Sequence, residues 1–205
     1  MDKQTARYYQ DFASAIGSRY ESRSLDFLYE YASKVFPKGG KILELGCGTG
    51  RDGANLLERG FQIFSSDGSI AMLRELQHFH SVLSSRSFVC RLPHPLPFHS
   101  DCFDGCLAVA ILMHLELGEI REVFIELERV LKKGSSCLVS IPTKRSGLNS
   151  EFRDEYGRLY TTIPDQFFED LSKILDLRSA HSFQNLDVLT PDRILWTTYE
   201  LVKGR

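Results

Sequence analysis

The chain has 205 residues, 42% of them hydrophobic and 25% charged, with a formal net charge of −2 at pH 7. That length suits one domain with a sizeable core, the composition is that of a folded protein, and the near-neutral balance offers no general attraction to a nucleic-acid backbone, so no DNA partner is expected. The N-terminal MDKQTARYYQ has no apolar core of signal-peptide length, and no run of about 18 apolar residues occurs, so a soluble cytoplasmic protein without membrane association is expected.

Residues 1–36 precede the first strand. Tyr8, Tyr9, Phe12, Ile16 and Tyr20 recur at helical spacing, and Leu25, Phe27, Leu28, Tyr31 and Val35 continue an amphipathic pattern. Two helices are expected, packed on a sheet or, for the tyrosine-rich first one, laid over a ligand as a lid. Next comes KILELGCGTG at 41–50, an apolar run carrying one acid, Glu44, and followed by Gly46, Gly48 and Gly50. This reads as a buried parallel strand turning into a helix, with a loop whose missing Cβ atoms let a ligand approach the main chain. Residues 48–53 also spell G-x-G-x-x-G, the dinucleotide fingerprint, so a nicotinamide cofactor is one reading of the loop. Against it, Glu44 suits a ligand bearing an ammonium group and would repel a pyrophosphate, and Gly46 would be an unexplained third glycine.

A helix over 51–59 stops at Gly60, and 61–66 is the second strand with Asp67 at its carboxyl end, placed to accept the two hydroxyls of a ribose. Gly68 permits a turn, Ser69 caps the next helix, and Ile70, Leu73 and Leu76 mark its buried face. A short strand at 87–90 leads to Leu96-Pro97-Phe98 and Phe103-Asp104, then a fourth strand over 105–109. Leu117, Ile120, Phe124, Leu127 and Leu131 define a helix over 116–131, closed by Lys132, Lys133 and Gly134. A fifth strand covers 136–141. The polar stretch 142–163 carries Lys144, Arg145, Arg153 and Arg158 among glycines and aromatics; Pro164 opens a helix, and 177–183 with 193–202 form a closing strand pair. The five cysteines, Cys47, Cys90, Cys102, Cys106 and Cys137, lack C-x-x-C spacing and read as reduced, mostly buried thiols, with no metal site expected.

The run hydrophobic-Glu-hydrophobic-Gly-x-Gly-x-Gly, with LPF at 96–98 and Phe103-Asp104 after it, resembles the class I S-adenosylmethionine-dependent methyltransferases, in particular the small-molecule, type-11-like domain. The resemblance covers roughly 40–142. It implies an α/β fold, a Rossmann-like doubly wound sheet of seven strands with an antiparallel last strand, which the helix-free closing pair also fits. It implies one domain over 1–205: a helical lid at 1–36, a cofactor-binding core at 40–142, and a substrate-side loop with closing helix and strands at 143–205. The cofactor is then S-adenosyl-L-methionine, held by Glu44, Gly46, Cys47, Gly48, Gly50, Asp67, Gly68, Met72, Leu92, Ala108 and Val109. The acid that many relatives place shortly before LPF is replaced by Arg91, Leu92, Pro93 and His94, so backbone groups or Leu92 take over the adenine contact.

By the same resemblance Tyr9, Tyr20, Arg153 and Arg158 face the acceptor, where a guanidinium can hold a carboxylate or phosphate. His114, just past the fourth strand, is the candidate proton acceptor, or else a histidine that orders the next helix. Neither an Asn/Asp-Pro-Pro-Tyr segment nor a Pro-Cys nucleophile follows that strand, against methylation of base amines or cytosine carbon. A small-molecule acceptor is expected. A protein or RNA acceptor, a nicotinamide-dependent oxidoreductase and a cofactor-binding module without catalysis remain as alternatives, and the sequence is silent on oligomeric state.

Overall fold

The computed structural model describes residues 1–164, 166–186 and 194–204. Three helices come first: α1 (Lys3–Asp11), α2 (Ala13–Glu21) and α3 (Asp26–Val35). The sequence pattern suggested two. Phe12, at φ −114° and ψ 17°, leaves helical geometry and splits the first into α1 and α2 at an angle that periodicity does not record. Asp2 caps α1 by accepting from the backbone N–H of Gln4 and Thr5.

The sheet is built from β1 (Lys41–Leu45), β2 (Gln62–Asp67), β3 (Ser87–Val89), β4 (Phe103–Val109), β5 (Leu131–Arg145), β6 (Leu177–Leu186) and β7 (Ile194–Lys203). Its order is β3-β2-β1-β4-β5-β7-β6. The strands from β3 to β5 run parallel, while β7 lies antiparallel between β5 and β6. This is the doubly wound, mostly parallel seven-stranded sheet that the resemblance implied, with the last strand in sequence reversed. Helices α4 (Arg51–Glu58), α5 (Ile70–Phe79), α6 (Leu117–Val130) and α7 (Gln166–Ile174) cover it. Glu116 and Glu119 form the reciprocal cap that starts α6.

Alternation along the strands sorts the core into two layers. Leu43 and Leu45 of β1, Cys106 and Ala108 of β4, and Cys137, Val139 and Ile141 of β5 face Phe124, Leu127 and Phe168 of α6 and α7. Ile42, Leu107 and Leu138 point the other way, onto Leu28, Tyr29 and Leu56 of α3 and α4. Each such fully buried aliphatic side chain contributes about 1.5–3 kcal/mol by leaving water.

β5 extends well beyond the expected 136–141, because pairing with β7 continues through Lys144–Leu195 to Arg145–Ile194. Main-chain hydrogen bonding extends a strand through polar residues that a hydrophobic pattern leaves out. Arg193, expected in the closing pair, lies outside the described residues. β1 and β4 are neighbours whose connections leave in opposite directions along the sheet, and in such sheets a ligand crevice opens there, at the carboxyl ends.

Candidate functional site

The chain leaves β1 through Gly46, Gly48 and Gly50, all at positive φ (65°, 56° and 81°). A Cβ on Gly46 would come within 2.7 Å of the Ile111 side chain. One on Gly48 would make ordinary contacts with Met72 at 3.5 Å and Tyr20 at 3.9 Å, so space is not crowded there and positive φ is what calls for glycine. Asp67 holds this loop in place: one carboxylate oxygen accepts from the Gly48 N–H at 2.9 Å and the other from the Ser69 N–H at 2.8 Å. Burial raises its pKa, and the N–H donors partly offset that rise.

Glu44 lies beneath the loop, 3% exposed. Its carboxyl accepts from the Gly53 N–H of α4 at 2.9 Å and the Ser65 hydroxyl at 2.6 Å. Burial first, and then the Asp52 charge, push its pKa up to about 8. Both oxygens serve the protein, so Glu44 anchors the first turn of α4 to the sheet and does not line the cavity. Glu44, expected among the residues that hold the cofactor, lies behind the loop that borders the cavity.

A cavity of about 480 Å³ opens over Gly46–Thr49 and Val109–Ala110, within the range of small-molecule sites. Ala110 follows β4 at φ 56°, a backbone conformation uncommon for a residue with a Cβ. α1 and α2 roof the cavity with Tyr9 and Tyr20, and the 145–160 segment closes it with Arg145, Asp154, Tyr156, Arg158 and Tyr160; Trp196 enters from β7. The roof is tied down by Arg51 to the Tyr20 carbonyl at 3.1 Å, by Thr49 to Glu21, and by the Ser69 hydroxyl to Gln10 at 3.1 Å.

Arg158 is 6% exposed. It pairs with Asp154 through Nε at 2.8 Å and Nη2 at 2.6 Å, with the rings of Tyr8, Tyr9, Tyr156 and Tyr160 around it. Arg145 lies over Tyr160 at 3.8 Å and reaches the same Asp154 oxygen at 3.4 Å. Tyr9 carries its hydroxyl to His114 Nε2 at 2.9 Å, while His114 Nδ1 faces the Leu159 carbonyl at 2.7 Å. A carbonyl only accepts, so Nδ1 bears the proton, Nε2 is the acceptor and Tyr9 donates to it. Burial lowers the His114 pKa to about 4. With no exposed surface and both nitrogens engaged, His114 is a neutral group that aims Tyr9. The expectation of a proton acceptor facing the ligand is corrected accordingly.

Of the residues expected to hold a cofactor, Gly46, Cys47, Gly48 and Val109 line the cavity. Gly50, Met72 and Ala108 stand behind them in the packed layer. Asp67, Gly68 and Leu92 flank the adjoining edge, where α1 begins: a Cβ on Gly68 would sit 3.4 Å from Met1 and from Arg91. Of the acceptor-facing set, Tyr9, Tyr20 and Arg158 line the cavity. Arg153 does not: it bonds Asp2 at 3.1 Å and the Gly157 carbonyl at 2.7 Å, pinning the loop to the start of α1. Ala110, Met113, Arg145, Asp154, Tyr160 and Trp196 line the cavity without having been singled out for it. The spacing Asp154-x-x-x-Arg158 with tyrosines at 156 and 160 was the available signal. Among the described residues no cluster of His, Cys, Asp and Glu is placed to hold a metal, and no helix is long and apolar enough to cross a membrane.

These residues fit S-adenosylmethionine. Gly46, Cys47 and Gly48 present main chain to the cavity, and Asp67, which accepts from the Gly48 N–H, stands at the adjoining edge.

Comparison with known proteins agrees with this geometry. Residues 42–134 match the family model described as a methyltransferase domain. Over 143 residues the chain is 24% identical to the O-methyltransferase rstn1 of Aspergillus nomiae, an alignment covering 67% of this chain and 63% of that one, so less than two thirds of the relative is spanned. Among solved structures, an S-adenosylmethionine-dependent methyltransferase of Methanosarcina mazei superposes with a TM-score of 0.71 at 18% identity, over 83% of this chain and 95% of its own. A putative methyltransferase of Haloferax volcanii, solved with the activator Trm112, gives 0.74 at 15% identity over 98% of both chains. The Burkholderia thailandensis 1,6-didemethyltoxoflavin-N1-methyltransferase, solved with its acceptor and S-adenosylhomocysteine, gives 0.66 at 17% over 95% and 90%. At these identities the superpositions speak for the fold, and the family model speaks for residues 42–134, which carry the glycine loop. From the two together, residues 42–134 match a methyltransferase domain and the chain shares its fold with solved S-adenosylmethionine-dependent methyltransferases, whose cofactor is S-adenosylmethionine.

Proposed function

We propose that this protein methylates a small-molecule acceptor. The observation that carries the reading is the roofed cavity of about 480 Å³, bounded by the glycine loop on one side and by tyrosine and arginine side chains on the other. Its roof is part of the domain itself, which suits an acceptor small enough to be enclosed. Gly46, Cys47, Gly48 and Val109 hold the cofactor beside the loop, and Asp67 takes its ribose hydroxyls. When bound, S-adenosylmethionine supplies a methyl carbon whose bond to sulfur breaks as a lone pair of the acceptor forms the new one.

The protein's part is to align that lone pair and keep water out, and such positioning is worth up to about 7–11 kcal/mol of a barrier. Tyr9, Tyr20 and Trp196 supply the apolar walls. Tyr9, its hydroxyl held by His114 and Arg158, also offers that oxygen's remaining lone pair to an acceptor hydroxyl or amine. The chain uses no buried histidine as base, so the acceptor must arrive with its lone pair available.

Calorimetry with S-adenosylhomocysteine and NAD, then a transfer screen using radiolabelled methyl donor against metabolite classes, protein and RNA, tests the reading. Binding of S-adenosylhomocysteine with label appearing on a metabolite is expected. Label appearing only on protein or RNA overturns the small-molecule acceptor, and NAD binding without S-adenosylhomocysteine binding overturns the methyl transfer.

A further inference from the structure

Arg145 and Arg158 share one counter-ion. Both reach the same oxygen of Asp154, Arg158 at 2.6 Å and Arg145 at 3.4 Å. Two guanidinium charges against one carboxylate leave one positive charge over, among side chains that are 16%, 7% and 3% exposed for Arg145, Arg158 and Asp154. The Arg145 Nε–H is buried and has no hydrogen-bond partner among the described residues. A buried donor left unmade, on a cation only half compensated, is costly unless something completes it.

The other charged groups on the cavity wall do not supply the missing anion. Arg51 is paired with Asp52, Arg19 adds a further positive charge, and Glu155, though it lines the cavity, is exposed to solvent and makes no ion pair with Arg145 or Arg158. Five aromatic side chains share that wall, Tyr9, Tyr20, Tyr156, Tyr160 and Trp196, together with Ser146, Asn185 and Ile194.

We propose, on the strength of the methyltransferase reading, that the acceptor is an aromatic monocarboxylate, its carboxylate received by the Arg145 guanidinium beside Arg158 and its ring enclosed by the tyrosines and Trp196. A single negative charge neutralises the cluster, whereas the two charges of a phosphomonoester would reverse its sign. A guanidinium also offers its donors in one plane, which matches the two oxygens of a carboxylate.

The test is calorimetry on the protein saturated with S-adenosylhomocysteine, using benzoate, phenylacetate and indoleacetate beside their neutral amides. The carboxylates are expected to bind, and each amide to bind about 10- to 100-fold more weakly. Arg145→Gln should erase that margin, Arg145→Lys should restore only part of it, and all three proteins should bind S-adenosylhomocysteine equally and melt within a few degrees of one another. Amides that bind as well as carboxylates, no binding by any carboxylate, or an unchanged margin in Arg145→Gln overturns the proposal. Should the wild type bind no S-adenosylhomocysteine, the methyltransferase reading falls by itself, and the same titrations on the cofactor-free protein still decide whether Arg145 holds a carboxylate.

Discussion

At one end of the cavity the chain presents main chain: Gly46, Cys47 and Gly48, with both glycines at positive φ and Gly48 braced by Asp67 from the next strand. At the other it presents long side chains, Tyr9 and Tyr20 from the first two helices, Arg145 from the tip of β5, Arg158 and Tyr160 from a loop, and Trp196 from β7. The first end is local in sequence, within about one strand-turn-helix unit and its neighbour. The second gathers residues from segments far apart in the chain. A cofactor common to a whole family can be met by backbone geometry, since every residue type shares the backbone. An acceptor particular to one member has to be met by side chains. That contrast teaches where to look for specificity in this protein, and it can be broken experimentally at either end.

The largest effect is expected at the main-chain end. Gly48→Val would force a branched residue into φ 56° and put its methyl groups between Met72, Tyr20 and the cavity. Strain and lost room together should weaken S-adenosylhomocysteine binding by about two orders of magnitude or more, read by calorimetry, with carboxylate probes still bound by the cofactor-free protein. Equal loss at both ends would show that the two are not separable.

A comparable effect is expected on stability through His114. Its folded pKa of about 4 lies below the ordinary 6.5, so the unfolded chain takes up the proton first as pH falls. The neutral histidine's contribution is therefore intact above about pH 6.5 and is lost progressively toward pH 4, by an amount on the order of 3 kcal/mol. Denaturant melts across that window should show the decline, and His114→Gln should flatten it. Because His114 is neutral throughout, turnover between pH 6 and 8 should show no inflection that His114→Gln removes. Such an inflection would return His114 to the role of base.

The smallest effect is expected from Tyr9→Phe, which deletes the hydroxyl that His114 and Arg158 hold. One neutral hydrogen bond to the acceptor is worth about 0.5–1.5 kcal/mol, so kcat/KM should fall about threefold to tenfold with S-adenosylhomocysteine affinity unchanged. A parallel loss of cofactor affinity would place Tyr9 at the main-chain end instead, as part of a lid over the cofactor.

The sequence by itself determined the sheet, the glycine loop and the acid at the end of β2. Each is written in short range: an apolar run, three glycines at alternate positions, an aspartate where a strand must stop. It also marked Tyr9, Tyr20 and Arg158 for the cavity, though the reason for their convergence was not in the pattern. Only the tertiary structure decided what Glu44, His114 and Arg153 do. A carboxylate at a strand end reads the same whether it meets a ligand or the first turn of the next helix, and the distance that separates those outcomes is set by how α4 packs. His114 reads as titratable until burial and the Leu159 carbonyl fix its proton on Nδ1. Arg145 was one charge among several in a polar stretch, and only the pairing of β5 with β7 and the turn back through Asp154 place it over Tyr160 with a donor unmade. Local pattern specifies local backbone; which side chains meet is decided by packing between segments that the sequence keeps far apart.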